Sequence, residues 1–185
     1  MRLGAGVATL VADDEEAEMD GIVLVVYASK HGSTREVAEA VCGSLQEAGV
    51  RAHLRPAREV RDLEGYGAVV LGGSIYMGRW HRDAHAFLRR HAKALQERRL
   101  AVFALGPTAK GPIDYEGSLG QLRTALGKHE VSPALVEVFG GRIDPARLPF
   151  PLSRMPAEDT RDWDVIAAWA AALPEALEAR SAAPV

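Results

Sequence analysis

From Ile22 onward the chain alternates short apolar runs with stretches whose apolar residues recur every three or four positions. Ile22–Tyr27 is a continuous apolar run ending at Ala28-Ser29, as a strand buried on both faces would read. Thr34–Ala48 predicts a helix, with Val37, Val41, Leu45 and Ala48 on one face and Gly49 as its stop. Val50–Leu54 predicts a shorter strand, and Ala68–Leu71 a strongly apolar one running into Gly72-Gly73. Ala84, Phe87, Leu88, Ala92 and Leu95 make an amphipathic helix. Leu100–Leu105 reads as a strand ending at Gly106-Pro107, with a helix around Leu119–Leu126 after it. Ala134–Phe139 is the fifth strand, closed by Gly140-Gly141. A last helix carries Trp163, Ile166, Trp169, Ala170, Leu173 and Leu177 near helical spacing, with both tryptophans assigned to the core.

Five strands separated by helices predict an α/β domain, an open, doubly wound parallel sheet with helices on both faces. Right-handed crossovers place every strand-to-helix loop on one edge of that sheet. Ligands in such folds bind at the carboxyl ends of the strands, where the winding reverses.

Composition narrows the classes. At 185 residues the chain suits one domain, expected over residues 21–180 with a short tail at 181–185. Residues 1–20 set one basic residue, Arg2, against six acidic ones, and the rest of the chain carries a net charge of +2. The acidic stretch has little to bury and is expected as a disordered extension. The near-neutral body offers no field for nucleic acid. No apolar run approaches the roughly 18–20 residues of a membrane span, and the single cysteine, Cys42, excludes an internal disulfide. A cytoplasmic protein without an integral membrane segment is the expectation. His81 and His85 are spaced like metal ligands on a helix but lack a third ligand, so no metal is expected. Arg89-Arg90 and Arg98-Arg99 read as solvated charges.

The candidate chemistry begins after the first strand, at Ser29-Lys30-His31-Gly32-Ser33-Thr34. Three hydroxyls, a glycine and a helix amino terminus converge there. Free backbone N–H groups and the helix dipole make an anion-binding concavity, and Gly32 allows close backbone approach. The alternative is a hydroxyl-rich helix cap that binds nothing. A P-loop would need a Gly-Lys-Ser/Thr ending, and a receiver domain a carboxylate cluster. Neither is present.

Tyr27-Ala28-Ser29-Lys30-His31-Gly32-Ser33-Thr34 resembles the FMN-phosphate loop of flavodoxins. Within that superfamily the chain is most similar to the flavodoxin-like, menaquinone-dependent protoporphyrinogen dehydrogenases. That likeness spans Ile22 to about Ala179 and rests also on Gly72-Gly73-Ser74-Ile75-Tyr76-Met77-Gly78 and on Asp162-Trp163. The resemblance implies a flavodoxin-like five-stranded sheet of order 2-1-3-4-5, FMN as cofactor, and Ser29, Lys30, His31, Gly32, Ser33 and Thr34 around its phosphate. It implies that Ser74, Ile75, Tyr76, Met77, Gly78, Arg79 and Trp80 pack on the flavin ring, with Gly78 free to invert its peptide on reduction. Arg79 stands where acidic flavodoxins place a carboxylate. Tyr76 and Trp80 can stack on a flat ring, and either could instead pack beneath the loop. Gly106, Pro107, Thr108 and Tyr115 are the second expected wall.

The resemblance further implies hydride or electron transfer through flavin N5, a porphyrinogen substrate in heme biosynthesis, and a quinone or other redox partner. Trp80, Tyr115, Phe150 and Met155 could then wall a macrocycle, with Arg79, Arg142 or Arg147 pairing its propionates. The family's long insertion after the fifth strand carries a basic amphipathic helix. Here Arg142–Thr160 is short, and Pro145, Pro149, Pro151 and Pro156 exclude a regular helix. A soluble electron-transfer flavodoxin and a flavin-free interaction module are the alternative functions on the same fold.

Overall fold

The computed structural model describes residues 21–76, 78–106, 112–147, 150–154 and 156–178. The acidic extension and the tail lie outside those residues. Strand β1 (Ile22–Ala28) leads into helix α1 (Ser33–Glu47), then β2 (Ala52–Pro56) and β3 (Tyr66–Tyr76). A two-residue strand β4 (Arg79–Trp80) precedes α2 (Arg82–Leu95), β5 (Arg99–Leu105), α3 (Pro112–Gly127) and β6 (Leu135–Phe139). Beyond it come β7 (Arg142–Ile143), two 3-10 turns, β8 (Glu158–Asp159), α4 (Trp163–Ala171) and α5 (Leu173–Glu178). The long strands are all parallel in the order β2-β1-β3-β5-β6, the predicted 2-1-3-4-5 arrangement.

Period-two alternation along the strands sorts the core into two layers. Leu24, Val26, Val69, Leu71 and Val102 face α2 and α3, against Phe87, Leu88, Leu119 and Leu122. Val23, Val25, Val70, Ala101 and Phe103 face α1, α4 and α5, against Val37, Val41, Leu45, Ile166 and Leu173. Each of these valine, leucine, isoleucine and phenylalanine side chains contributes about 1.5–3 kcal/mol by leaving water. Cys42 belongs to the second layer, and burial pushes its thiol pKa up. Among the described residues no helix is long and apolar enough to cross a membrane.

Several boundaries differ from expectation for identifiable reasons. β3 does not stop at Gly72-Gly73 but continues to Tyr76, because neighbouring side chains supply the packing that the glycines lack. A Cβ on Gly72 would fall inside the Phe103 ring, and one on Gly73 would lie 2.6 Å from the Trp80 indole nitrogen. The last helix divides after Ala171, where Pro174 in the next turn cannot donate to an α-helical ladder. Trp163 is not core: it is 45% exposed, with the Arg161 guanidinium 4.8 Å from its ring centroid. Trp169 is core, edge-on to Phe103 and Phe139. Arg98 is a tie rather than a solvated charge, donating to the carbonyls of Tyr66 and Ala94 at 2.9 and 2.8 Å. The proline-rich stretch forms the 3-10 turns Pro145–Arg147 and Leu152–Arg154 and the β7–β8 ribbon.

His85 on α2 and His129 beyond α3 share a hydrogen bond, Nδ1 to Nε2, at 2.8 Å. Such a bond requires one neutral acceptor ring. Burial first, then their mutual charge or the neighbouring Arg89 and Lys128, lowers both pKa values. Burial likewise lowers His31, His81 and His91. With folded values below the ordinary 6.5, the unfolded chain binds more protons as the medium is acidified. Stability is therefore complete above that pH and is lost as pH falls from there through the folded-state values. Denaturant midpoints should fall between about pH 7 and pH 5, and His129→Gln should flatten that dependence.

Gly72→Ala should cost about 1–3 kcal/mol, as overpacking does. Urea unfolding of the variant would measure it, and Gly120→Ala, with open space around its added methyl, is the internal control.

Candidate functional site

Parallel pairing fixes which loops meet at the carboxyl edge. Ala28 pairs with Gly73, so Ser29 emerges level with Ser74. Ser74 pairs in turn with Leu105, the residue before Gly106. The winding reverses between β1 and β3, which have β2 and β5 as their outer neighbours. The phosphate-loop candidates, the Ser74–Trp80 segment and Gly106 thus share the edge where ligands of doubly wound sheets bind.

At the loop itself, Gly32 is the residue before α1 and adopts φ 95° with no side-chain cap. That left-handed conformation suits glycine, and it leaves the first amides of α1 without an intrahelical acceptor. Ser29 Oγ accepts from the Gly32 N–H at 3.0 Å and braces the turn. Thr34 is the informative residue: it is 0% exposed, and its Oγ1 has no hydrogen-bond partner among the described residues. A buried orphan hydroxyl costs free energy unless something fills its bonding capacity. Ser33 and Thr34 open the helix, while Lys30 is exposed and His31 half-buried in the turn. His31 is held below its usual pKa by burial, then by the positive charges of Lys30 and Arg147.

The next loop is a hairpin. Ile75 pairs with Trp80 and Tyr76 with Arg79, antiparallel, around the turn that contains Gly78. Facing residues of such a pair share a side of the ribbon. Ile75 and Trp80 point to the core, where Trp80 is 5% exposed and donates its indole N–H to the Gly73 carbonyl at 3.2 Å. Tyr76, 55% exposed, points outward together with Arg79. Trp80 thus takes the position beneath the loop, and Tyr76 is the aromatic left for a ligand. Met77, Pro107 and Thr108 lie outside the described residues.

Gly106 still belongs to the sheet, its N–H donating to the Phe139 carbonyl at 2.8 Å. Tyr115 is partly exposed on α3, and its hydroxyl donates to Glu137 Oε1 at 2.7 Å. That bond pushes its pKa up to about 12, so the phenol stays protonated and committed to Glu137. His81 caps α2 by accepting from the Asp83 N–H at Nδ1, and His85 is engaged by His129. Among the described residues no three or more histidine, cysteine or carboxylate groups gather as a metal would need.

Sequence reasoning missed the charges that surround α1. Glu36 in its first turn accepts from Arg161 at 2.7 Å and from Arg142 at 3.2 Å. Arg161 also pairs with Asp159 at 2.6 Å, and its guanidinium is almost wholly buried. Arg147 donates through Nη1 to the His31 carbonyl at 2.6 Å. Arg142 and Arg147, expected as propionate partners, are therefore held at α1 and at the phosphate-loop candidate. Only the topology could have hinted at this, since the loop after β6 emerges at the same sheet edge.

A parallel α/β sheet with an uncapped, hydroxyl-bearing helix start at its switch point defines a domain built for a phosphate-bearing cofactor. The family model of the Flavodoxin domain matches residues 24–155, and the chain belongs to that family. FMN is the family's cofactor, and flavin-based electron transfer is its chemistry. Oxidised flavodoxin 1 from Bacillus cereus is 18% identical, with a TM-score of 0.54 over 83% of this chain and 97% of that one. The C101A mutant of flavodoxin from Pseudomonas aeruginosa is 20% identical, with a TM-score of 0.55 over 85% and 99%. Among curated proteins, protoporphyrinogen IX dehydrogenase [quinone] of Escherichia coli K12 is 29% identical over 91 residues, 48% of this chain. The match spans half of that relative's length.

The residues present fit FMN. The orphan Thr34 hydroxyl and the uncapped amides are donors without an acceptor, and a terminal phosphomonoester would supply one. Thr34→Val should leave apoprotein stability unchanged or raise it, because the buried hydroxyl has no partner to lose. The same change should weaken FMN about 10-fold or more, at about 1.5–3 kcal/mol for a hydrogen bond to a charged group. Fluorescence titration and thermal unfolding of the apoprotein measure the two opposite effects.

Proposed function

We propose that the chain is an FMN-dependent oxidoreductase of the protoporphyrinogen-dehydrogenase type, taking reducing equivalents from a porphyrinogen-like substrate and delivering them to a quinone. The relative matched over half its length supports the class. The observation that carries the reading is the exposed Tyr76–Arg79 pair on the outward side of the ring-loop hairpin. When bound, FMN supplies one- and two-electron transfer. Arg79 places positive charge beside the ring, which favours the reduced, anionic form and raises the potential of the site. Such a site oxidises a substrate better than it serves as a low-potential donor. Tyr76 offers an aromatic face for stacking. Phe150, 72% exposed with Arg154 5.0 Å from its ring centroid, adds an apolar and cationic group on the proline-rich segment.

A second reading, an electron carrier, is favoured by the commitments of Trp80 and Tyr115. With one in the core and the other bonded to Glu137, the expected apolar wall is reduced, and a more open flavin edge suits a protein partner.

Protoporphyrinogen, mixed anaerobically with the oxidised holoprotein, should bleach the flavin in single turnover, and a soluble quinone should restore its colour. Arg79→Ala should lower the flavin midpoint potential and slow the bleaching without loss of FMN. Failure of the porphyrinogen to bleach the flavin, alongside rapid exchange with a flavodoxin reductase, would decide for the carrier.

A further inference from the structure

We propose that Arg147 is a phosphate ligand of the FMN site and the side chain by which the site selects FMN over riboflavin. The proposal rests on FMN occupying the start of α1. Arg147 ends the 3-10 turn Pro145–Arg147, far from the phosphate loop in sequence. Its Nη1 nevertheless lies 2.6 Å from the His31 carbonyl. A Cβ added to Gly32 would fall 2.6 Å from the same nitrogen. The guanidinium therefore rests directly against the loop backbone that turns into α1.

Three features make that position one for an anion. First, the loop already presents unfilled donors, namely the uncapped helix start and the buried Thr34 hydroxyl without a partner. Second, Arg147 has donors to spare. A guanidinium carries five N–H groups, and among the described residues its partners are the His31 carbonyl and, through Nε at 3.3 Å, Asp144. Third, the carboxylate that would oppose a phosphate has been neutralised locally. Glu36 in the first turn of α1 is bound by Arg161 and Arg142, while Lys30 and Arg147 both act as positive charges on His31 in the loop.

The 3-10 turn makes the placement specific. Asp144 holds Arg147 Nε and stands 3.6 Å from Arg142 Nη2, while Arg142 reaches Glu36. Arg147 is thus suspended from the ion pairs that fasten β7 to α1. A planar fork presented this way can bond a phosphate oxygen while keeping its carbonyl contact. Riboflavin, lacking the phosphate, gains nothing from it. The competing role is a structural tie between the proline-rich segment and His31, which would matter equally for both flavins.

The test is titration of the full-length apoprotein with FMN and, separately, with riboflavin, followed by flavin fluorescence at low and high salt. Arg147→Gln should weaken FMN about tenfold, which is about 1.4 kcal/mol, and leave riboflavin affinity unchanged. It should also reduce the salt dependence of FMN binding. Arg147→Lys should recover part of the loss, as retained charge without the fork predicts. Inorganic phosphate should raise the melting temperature of the wild-type apoprotein more than that of Arg147→Gln. Equal losses for both flavins, or an unchanged FMN-to-riboflavin ratio, would overturn the assignment and leave Arg147 a structural tie. A wild-type protein that binds both flavins equally would overturn the phosphate site itself, a result distinct from any change confined to the variants.

Discussion

β1 carries apolar side chains at Val23, Leu24, Val25 and Val26, all essentially closed to water. A strand with no polar face must be covered on both sides, and its backbone must pair on both edges. β2 and β3 satisfy the edges, and the two helical layers satisfy the faces. A doubly wound parallel sheet meets that demand, with β1 at the point where the winding reverses. The chemistry follows, because the chain leaving β1 must turn into α1 just where loops from its neighbours converge. Shift the β1–β3 register by one residue and Ser29 no longer emerges level with Ser74.

The amino terminus of α1 then poses an electrostatic problem that distant residues answer. A helix start attracts anions, and Glu36 in the first turn could itself complement the dipole. Two arginines from beyond β6 bind it instead. Exposed ion pairs contribute little to stability, but Arg161 is nearly buried between Glu36 and Asp159, so removing one partner would strand a desolvated charge. These pairs tie the proline-rich segment to α1. They also keep the Glu36 carboxylate occupied at the start of α1.

The strands and the glycine turn into α1 were legible in the sequence because their signals are local. A continuous apolar run can only be a buried element, and hydroxyls around a glycine before an amphipathic run mark a helix start. What the sequence hid depends on contacts far along the chain. Gly72 and Gly73 look like a strand end until Phe103 and Trp80 are seen to fill the space above them. Trp163 has helical spacing with the core residues, yet it sits at the first turn of α4 beside Asp162, which caps the helix by accepting from the Asp164 and Val165 amides. Its ring covers the Arg161 guanidinium rather than the sheet. Arg147 could not be assigned from spacing at all, since its partner lies 116 residues away.

Burial of Trp80 changes what the ring loop is mechanically. Had Trp80 been the stacking residue, the loop would hold the flavin with a large side chain on a free tip. Instead its indole is fixed between the Gly73 carbonyl and the first layer of the core, and β4 is pinned to β3 at Ile75 and Tyr76. Beyond those pairs the hairpin turns through Gly78. Gly78 there has φ 72°, a conformation that costs glycine nothing and strains other residues. The loop thus combines an anchored base, an exposed tyrosine and cation, and a glycine in a left-handed conformation.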